Sequence, residues 1–183
     1  MNSFVFVRPT GKPLNDKLAN WVQGELAHAT KMWRDIFRGD APVKDDTAVT
    51  DEDIASKNFI LWGDPSSNRL LAKMLKRLPL KWTAKELIFK GQTYDAAHHA
   101  PILIFPNPLN PQRYVVLNSG FTFAHEGAAS NAKQTPKLPD YAVLSLDGAD
   151  EPSKVLRRAG SSAPSHNIVQ AGFFDESWQI GNP

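Results

Sequence analysis

The sequence predicts an α/β protein, a three-layer sandwich around a mainly parallel sheet of the Rossmann-like or flavodoxin-like kind, with an added antiparallel hairpin. Two observations predict this class. In the first half of the chain, short apolar runs alternate with longer segments whose apolar residues recur every three or four positions. Such alternation is typical of strands and helices in a parallel sheet. In the middle of the chain, two strand-like runs flank Lys90 and Gly91, which indicates a hairpin around a glycine turn.

The first half contains the opening of a crossover unit. The apolar run at 4–7 is typical of a buried strand, and the segment 14–37 places its apolar residues on one helical stripe. A short strand at 41–43 follows. Thr50 and Asp53 then have the spacing of a capping box, which predicts a short helix.

A second strand and helix follow in the same pattern. The apolar run at 58–62 predicts another buried strand, which leads into the polar loop 63–68. From Leu70 onward, apolar residues recur with helical spacing until Pro79, which cannot continue a helix.

The second half is predicted with fewer helices and longer loops. Strands are expected at 102–105, 114–117 and 141–146. Three prolines within 106–111 predict a stiff loop without regular structure, and polar residues between 125 and 139 predict a long surface loop.

The chain is expected to form one α/β core over residues 1–146. The segment 147–170 is rich in serine, proline and glycine and is expected to be partly mobile. The segment 171–183 is aromatic, and we expect it to dock on the core.

The composition excludes some functions. The chain has 183 residues, 42% of them apolar, and a net charge of +2. This near-balance argues against a nucleic-acid partner, which would call for a concentrated basic face. Cysteine is absent, which excludes disulfides and thiol nucleophiles. No apolar run has the length of a membrane span, and the amino terminus does not resemble a signal peptide.

The candidate binding residues follow predicted strands, at the edge of the sheet where parallel α/β proteins bind ligands. The loop 63–68 is the most suggestive, because backbone N–H groups and the dipole of the following helix favour a small anionic ligand. Its serines and asparagine fit helix caps equally well, so both interpretations stay open. The candidate ligand-binding residues are Thr10, Gly11, Gly63, Ser66, Ser67, Asn68, Asn107, Asn118, Ser119 and Gly120.

No catalytic residue and no metal ligand is predicted. The chain has no G-x-S-x-G elbow and neither of the glycine-rich phosphate-binding motifs. His98 and His99 are adjacent, and neighbouring residues on a strand point to opposite faces, which does not favour a shared metal ion. Asp147 and His166 have the types of triad partners, but no nucleophile accompanies them. A nucleotide or adenosylmethionine is an alternative ligand, although the glycine fingerprint is missing.

Four segments carry a family resemblance: Lys44-Asp-Asp-Thr47, the stretch 58–68 (NFILWGDPSSN), the stretch 106–120 (PNPLNPQRYVVLNSG) and the stretch 171–178 (AGFFDESW). Together they resemble the C-terminal accessory segment of large bacterial proteins that carry a prolyl-oligopeptidase-type α/β-hydrolase domain upstream. The resemblance covers most of the chain. It implies that the catalytic serine, aspartate and histidine belong to the upstream domain. The serine-rich stretch 161–165 departs from the pattern.

Three hypotheses follow. The first is a non-catalytic accessory or ligand-binding domain associated with a bacterial hydrolase, with the upstream hydrolase domain or a small anionic ligand as partner. The second is a stand-alone Rossmann-like domain that binds a nucleotide or adenosylmethionine-type cofactor, and the third is a protein-interaction module. A stand-alone chain would be cytoplasmic, whereas part of an exported hydrolase would be periplasmic or secreted.

Overall fold

Two β-sheets and three helices form the structure, a computed structural model that describes residues 3–119, 139–147 and 168–179. The helices are α1 (Asp16–Phe37), α2 (Asp51–Ser56) and α3 (Arg69–Met74). The strands are β1 (Phe4–Arg8), β2 (Val43–Asp45), β3 (Asn58–Leu61), β4 (Leu80–Trp82), β5 (Glu86–Phe89), β6 (Gln92–Asp95), β7 (His99–Asn107), β8 (Asn110–Leu117), β9 (Tyr141–Ser145) and β10 (Ile168–Gly172).

The larger sheet has seven strands in the order β10-β9-β7-β8-β3-β1-β2. Its β2, β1, β3 and β8 are parallel, whereas β7 is antiparallel to β8 and β9, and β10 is antiparallel to β9. A separate antiparallel sheet has the order β4-β5-β6. The predicted three-layer sandwich around a mainly parallel sheet is therefore wrong, because the described residues contain more strand than helix and the larger sheet is mixed.

The β7–β8 hairpin explains much of this difference. The strands are joined by a turn between Asn107 and Asn110, and so short a connection can join only antiparallel strands. The expected loop at 106–111 is thus wrong as well. Pro106 pairs with Tyr114 beside a shift of register, and an irregularity of this kind is one of the places where a strand accepts proline.

The predicted hairpin around Lys90 and Gly91 is confirmed as β5–β6. Both turn residues have positive φ angles, 49° and 73°, as a tight turn between twisted strands requires. The hairpin belongs to the smaller sheet rather than to an edge of the larger one. It contacts the larger sheet through Phe89, whose ring lies 4.8 Å from that of Tyr141.

Helix α1 is capped at its amino end and packs against β1. The Asn15 side chain accepts a hydrogen bond from the backbone N–H of Leu18 at 2.8 Å, which caps the helix. Trp33 of α1 contacts Phe4 of β1 at 4.6 Å between ring centroids. Strand β1 is buried on both faces between positions 5 and 7, as the apolar run predicted.

The carboxyl-terminal described segment contributes strand β10, which the sequence did not predict, and an aromatic cluster. Phe174 is buried, and its ring lies 5.1 Å from Tyr141 and 5.4 Å from Phe105. Most of the segment expected to be mobile, 148–167, lies outside the described residues, as does 180–183. None of the helices in the described part is long and apolar enough to cross a membrane.

Candidate functional site

The carboxyl ends of β1 and β3 form the most favourable position for a ligand. These two strands are neighbours. The chain leaves β1 through α1 toward β2, on one side, whereas after β3 it re-enters the larger sheet at β7, on the other side. Two neighbouring strands whose connections diverge leave a crevice between them, which is where open α/β sheets bind ligands. The loops 9–15 and 62–68 line this crevice.

The two loops are packed directly against each other. The backbone N–H of Gly11 donates to the carbonyl of Ser67 at 2.8 Å. A Cβ at Gly11 would lie 2.8 Å from the carbonyl oxygen of Ser66, which only glycine avoids. Gly63 has a φ of 105°, and a Cβ there would crowd both the Ser67 hydroxyl and Pro9. The lack of a side chain at these two glycines therefore allows the two loops to pack closely.

The carboxylate of Asp64 occupies the backbone donors of the second loop. It is buried, and its Oδ1 accepts hydrogen bonds from the N–H groups of Ser66 and Ser67 at 2.8 and 2.9 Å. Its Oδ2 accepts from the N–H of Leu14 at 3.1 Å. The hydroxyl of Ser67 in turn accepts from the N–H of Asp64 at 3.0 Å. The protein's own carboxylate thus fills the place where an anion was expected.

The backbone N–H groups at the amino end of α3 are also bonded to side chains of the protein. Asn68 is fully buried, and its Oδ1 accepts from the N–H groups of Leu70 and Leu71, both at 3.0 Å. Its Nδ2 donates to the carbonyl of Trp62 at 2.8 Å. The N–H of Arg69 donates to Asp46 Oδ2 at 2.6 Å. Of the two open interpretations of this loop, the geometry favours the helix cap.

Asp46 also holds Thr10, whose hydroxyl donates to Asp46 Oδ1 at 2.7 Å. One buried carboxylate therefore joins the loop after β1 to the amino end of α3. Sequence reasoning named neither Asp46 nor Asp64 as a candidate residue, although Asp64 lies within the predicted loop 63–68. The available signal was their position, since Asp46 directly follows β2 and Asp64 lies in the loop after β3.

The remaining candidates divide into two groups. Asn118 and Ser119 end β8 beside β3, and both are buried. Asn118 binds the backbone of Gly63. Asn107 ends β7, which runs antiparallel to β8, so it lies at the opposite edge and is not part of the site. There its Oδ1 accepts from the N–H of Leu109 at 2.9 Å and stabilises the β7–β8 turn. Gly120 lies outside the described residues.

An apolar cleft of about 290 Å³ lies between α1 and these two loops. The first turns of α1 supply an apolar wall, with Ala19, Val22 and Leu26. The loops supply Pro9 and Pro13 together with the glycines and Asp64. Among the described residues that line the cleft, Ser67 has the single hydroxyl, and it is bonded to the backbone of Asp64. The cleft can therefore hold an apolar group, while the carboxylate of Asp64 and the hydroxyl of Ser67 in its lining already have partners.

Arg8 and Gln23 complete the lining of this cleft. Arg8 ends β1 and pairs with Asp45 of β2, with its Nε at 2.7 Å and its Nη2 at 2.6 Å from Asp45 Oδ1. The α1 wall had not been predicted as part of a site. Its residues read as the core stripe of the helix, and nothing in their spacing distinguishes a core face from the wall of a cleft.

A second polar cluster lies on the surface at the same edge. Asp147 Oδ1 is 2.6 Å from Lys17 Nζ and 2.8 Å from His98 Nδ1. Hydrogen bonds from Lys17 and His98 lower the pKa of Asp147 to about 2. Asp147 thus pairs with His98, while His166 lies outside the described residues. None of the three described residues lines the cleft.

Within the described ranges, no group of three histidine, aspartate or glutamate side chains is placed to hold a metal ion. No protein-family model, curated protein or solved structure matches the chain.

Proposed function

We propose that this chain is a non-catalytic binding domain and that its ligand is held in the cleft between α1 and the loops after β1 and β3. The observation that carries the proposal is that the backbone donors of the loops after β1 and β3 and of the amino end of α3 are already bonded to carboxylate and amide groups of the protein. Asp64 takes three backbone donors, and Asp46 takes one backbone donor and a hydroxyl. A reacting group needs donors and bases that are still available, whereas binding an apolar group needs only the cleft.

Association with a bacterial hydrolase is the second part of the proposal. It rests on the sequence resemblance alone, in which the catalytic residues belong to an upstream domain. In that arrangement the chain would contribute binding to its parent enzyme and would not contribute reacting groups.

The geometry argues against the nucleotide or adenosylmethionine alternative at this position. Phosphate and carboxylate groups of such cofactors bind backbone N–H groups at the start of a helix. Here the N–H groups of Arg69, Leu70 and Leu71 already donate to side chains of the protein. A cofactor would have to displace two buried acceptors, Asp46 and Asn68, to use them.

The experiment that tests the proposal compares two alanines of α1. Ala19 lines the cleft, whereas Ala27 is an exposed residue of the same helix that does not line it. The wild type, Ala19→Phe and Ala27→Phe are screened by two-dimensional amide NMR with a panel of small apolar compounds at millimolar concentration. We expect shifts at Gly11, Val22 and Gly63 in the wild type and in Ala27→Phe, and their loss in Ala19→Phe.

Two outcomes would overturn the proposal. One is that no compound of the panel shifts the cleft resonances of the folded wild type. The other is that the purified chain hydrolyses ester or peptide substrates and loses that activity on substitution of a single serine or histidine.

A further inference from the structure

We propose that the ligand of the cleft is an apolar monocarboxylate, with its hydrocarbon body against α1 and its carboxylate at the guanidinium of Arg8. This inference deepens the proposed function and rests on it. It combines three observations: the apolar lining of the cleft, the single cationic side chain among its described lining residues, and the prior occupation of the backbone donors.

The lining of the cleft indicates that the body of the ligand is apolar. Pro9, Pro13, Ala19, Val22 and Leu26 present aliphatic surface on both sides, so burial of hydrocarbon provides the main favourable free energy. The volume of about 290 Å³ lies at the lower end of the range for small-molecule sites. A single ring or a short alkyl chain matches this size, whereas a dinucleotide does not.

The charged end follows from Arg8. Its contacts with described residues use Nε and Nη2, both on the same oxygen of Asp45. The other edge of the guanidinium therefore retains N–H donors, and a planar fork of this kind matches a carboxylate. Its side chain is 57% exposed, so the group is accessible from solvent.

The same surroundings disfavour phosphate. Asp45 already neutralises much of the charge of Arg8, and the carboxylate of Asp64 lines the cleft close by. A dianion would meet one shared cation and an anion, and the loop N–H groups that could have helped are bonded to Asp64. A monoanion with an apolar body avoids most of this repulsion.

The experiment titrates the full chain with matched probes. Benzoate, phenylacetate and hexanoate are compared with benzamide, benzylammonium and inorganic phosphate, and affinities are read from the amide shifts of Gly11, Val22 and Gly63. The variants are Arg8→Gln, Arg8→Lys and Lys12→Gln. Lys12 is an exposed cation of the same loop that does not line the cleft, so Lys12→Gln controls for net charge. The Arg8–Asp45 pair is exposed, so its loss should leave the fold intact.

We expect the carboxylates to bind more tightly than benzamide. The preference should be about fivefold at most, because an exposed ion pair contributes little. Arg8→Gln should remove it, Arg8→Lys should restore part of it, and Lys12→Gln should leave it unchanged. Equal binding of benzamide or benzylammonium in the cleft, or equal loss in Lys12→Gln, would overturn the carboxylate assignment while the proposed function stands. Phosphate that shifts the same amides as strongly as benzoate would also overturn it. No cleft shift with any probe would overturn both proposals.

Discussion

Asn118 binds the peptide backbone of Gly63 from both sides of its amide group. Its Oδ1 accepts from the N–H of Gly63 at 2.8 Å, and its Nδ2 donates to the carbonyl of Gly63 at 3.0 Å. Both residues are buried, and both have positive φ angles, 51° for Asn118 and 105° for Gly63. This pair fixes the end of β8 to the end of β3, directly beside the candidate cleft.

The first prediction concerns this pair. Asn118→Ala should destabilise the protein by about 3 kcal/mol, because it leaves a buried N–H and a buried carbonyl unpaired and places alanine in a left-handed conformation. The free energy of unfolding is measured by urea denaturation. Asn110→Ala serves as the control. Asn110 donates to the carbonyls of Ile54 and Ala55 from a half-buried position, and its removal should cost less. Equal losses would contradict the role assigned to Asn118.

The second prediction concerns Asp46. Asp46→Ala should lower the free energy of unfolding by about 2 kcal/mol, since it removes hydrogen bonds to the backbone of Arg69 and to the hydroxyl of Thr10. Thr10→Val removes only one of these bonds and should cost about half as much. Thermal and urea unfolding of both variants check the order. A larger loss in Thr10→Val than in Asp46→Ala would show that Asp46 does not carry the connection.

The sequence predicted the first half of the fold better than the second. The stripe of α1 and the apolar runs of β1 and β3 are long local patterns, and the structure contains those elements. In the second half, a buried antiparallel strand and a buried parallel strand have the same apolar run. Whether β7 connects to the next strand through a helix or through a two-residue turn depends on long-range pairing, which local sequence does not show. A mainly parallel sheet was therefore predicted where the structure has a hairpin.

The sequence predicted where most of the candidate residues lie in the sheet, but not that the donors around them are already hydrogen-bonded. Eight of the ten candidate residues follow β1, β3 or β8, because the carboxyl ends of parallel strands share one edge of the sheet. The sequence did not show, however, that backbone N–H groups of the loops already donate to side chains of the protein. Asp46 and Arg69 are 23 positions apart, and Leu14 and Asp64 are 50 apart. Local sequence cannot show which of many acidic residues will reach a given N–H group.

The third prediction concerns the capping box of α2. Burial raises the pKa of Asp53, but hydrogen bonds from Lys44, Lys57 and Thr50 outweigh this effect and hold the pKa well below its usual range. A depressed pKa stabilises the fold above the unfolded-state value of 3.8, and the stabilisation is lost as the pH falls below it. Asp53→Asn should therefore be less stable than the wild type at pH 7 by about 2 kcal/mol.

The pH dependence distinguishes this explanation from a packing defect. The difference between Asp53→Asn and the wild type should shrink as the pH falls from 5 toward 2, because the Asp53 carboxyl group becomes protonated in the unfolded chain while it stays ionised in the native state. Denaturation midpoints measured across that interval test it. A difference that stays constant with pH would mean that the charge of Asp53 is not responsible.

The fourth prediction concerns Glu25, a carboxyl group buried on α1. It is 1% exposed, and neither carboxyl oxygen has a hydrogen-bond partner among the described residues. Burial raises the pKa of Glu25 from 4.5 to about 8. The native state therefore keeps this proton at neutral pH, whereas the unfolded state releases it.

The sign of the effect follows from proton linkage. Below pH 4.5 both states are protonated, and the stability is fully present. Between pH 4.5 and about 8 only the native state holds the proton, so the free energy of unfolding falls by up to about 1.4 kcal/mol per pH unit. Above about pH 8 both states are ionised and the decline ends. Glu25→Gln has no such proton, so its stability should exceed that of the wild type increasingly from pH 5 to pH 8. Parallel wild-type and Glu25→Gln curves over this range would contradict the prediction and show that the pKa of Glu25 is the same in the native and unfolded states.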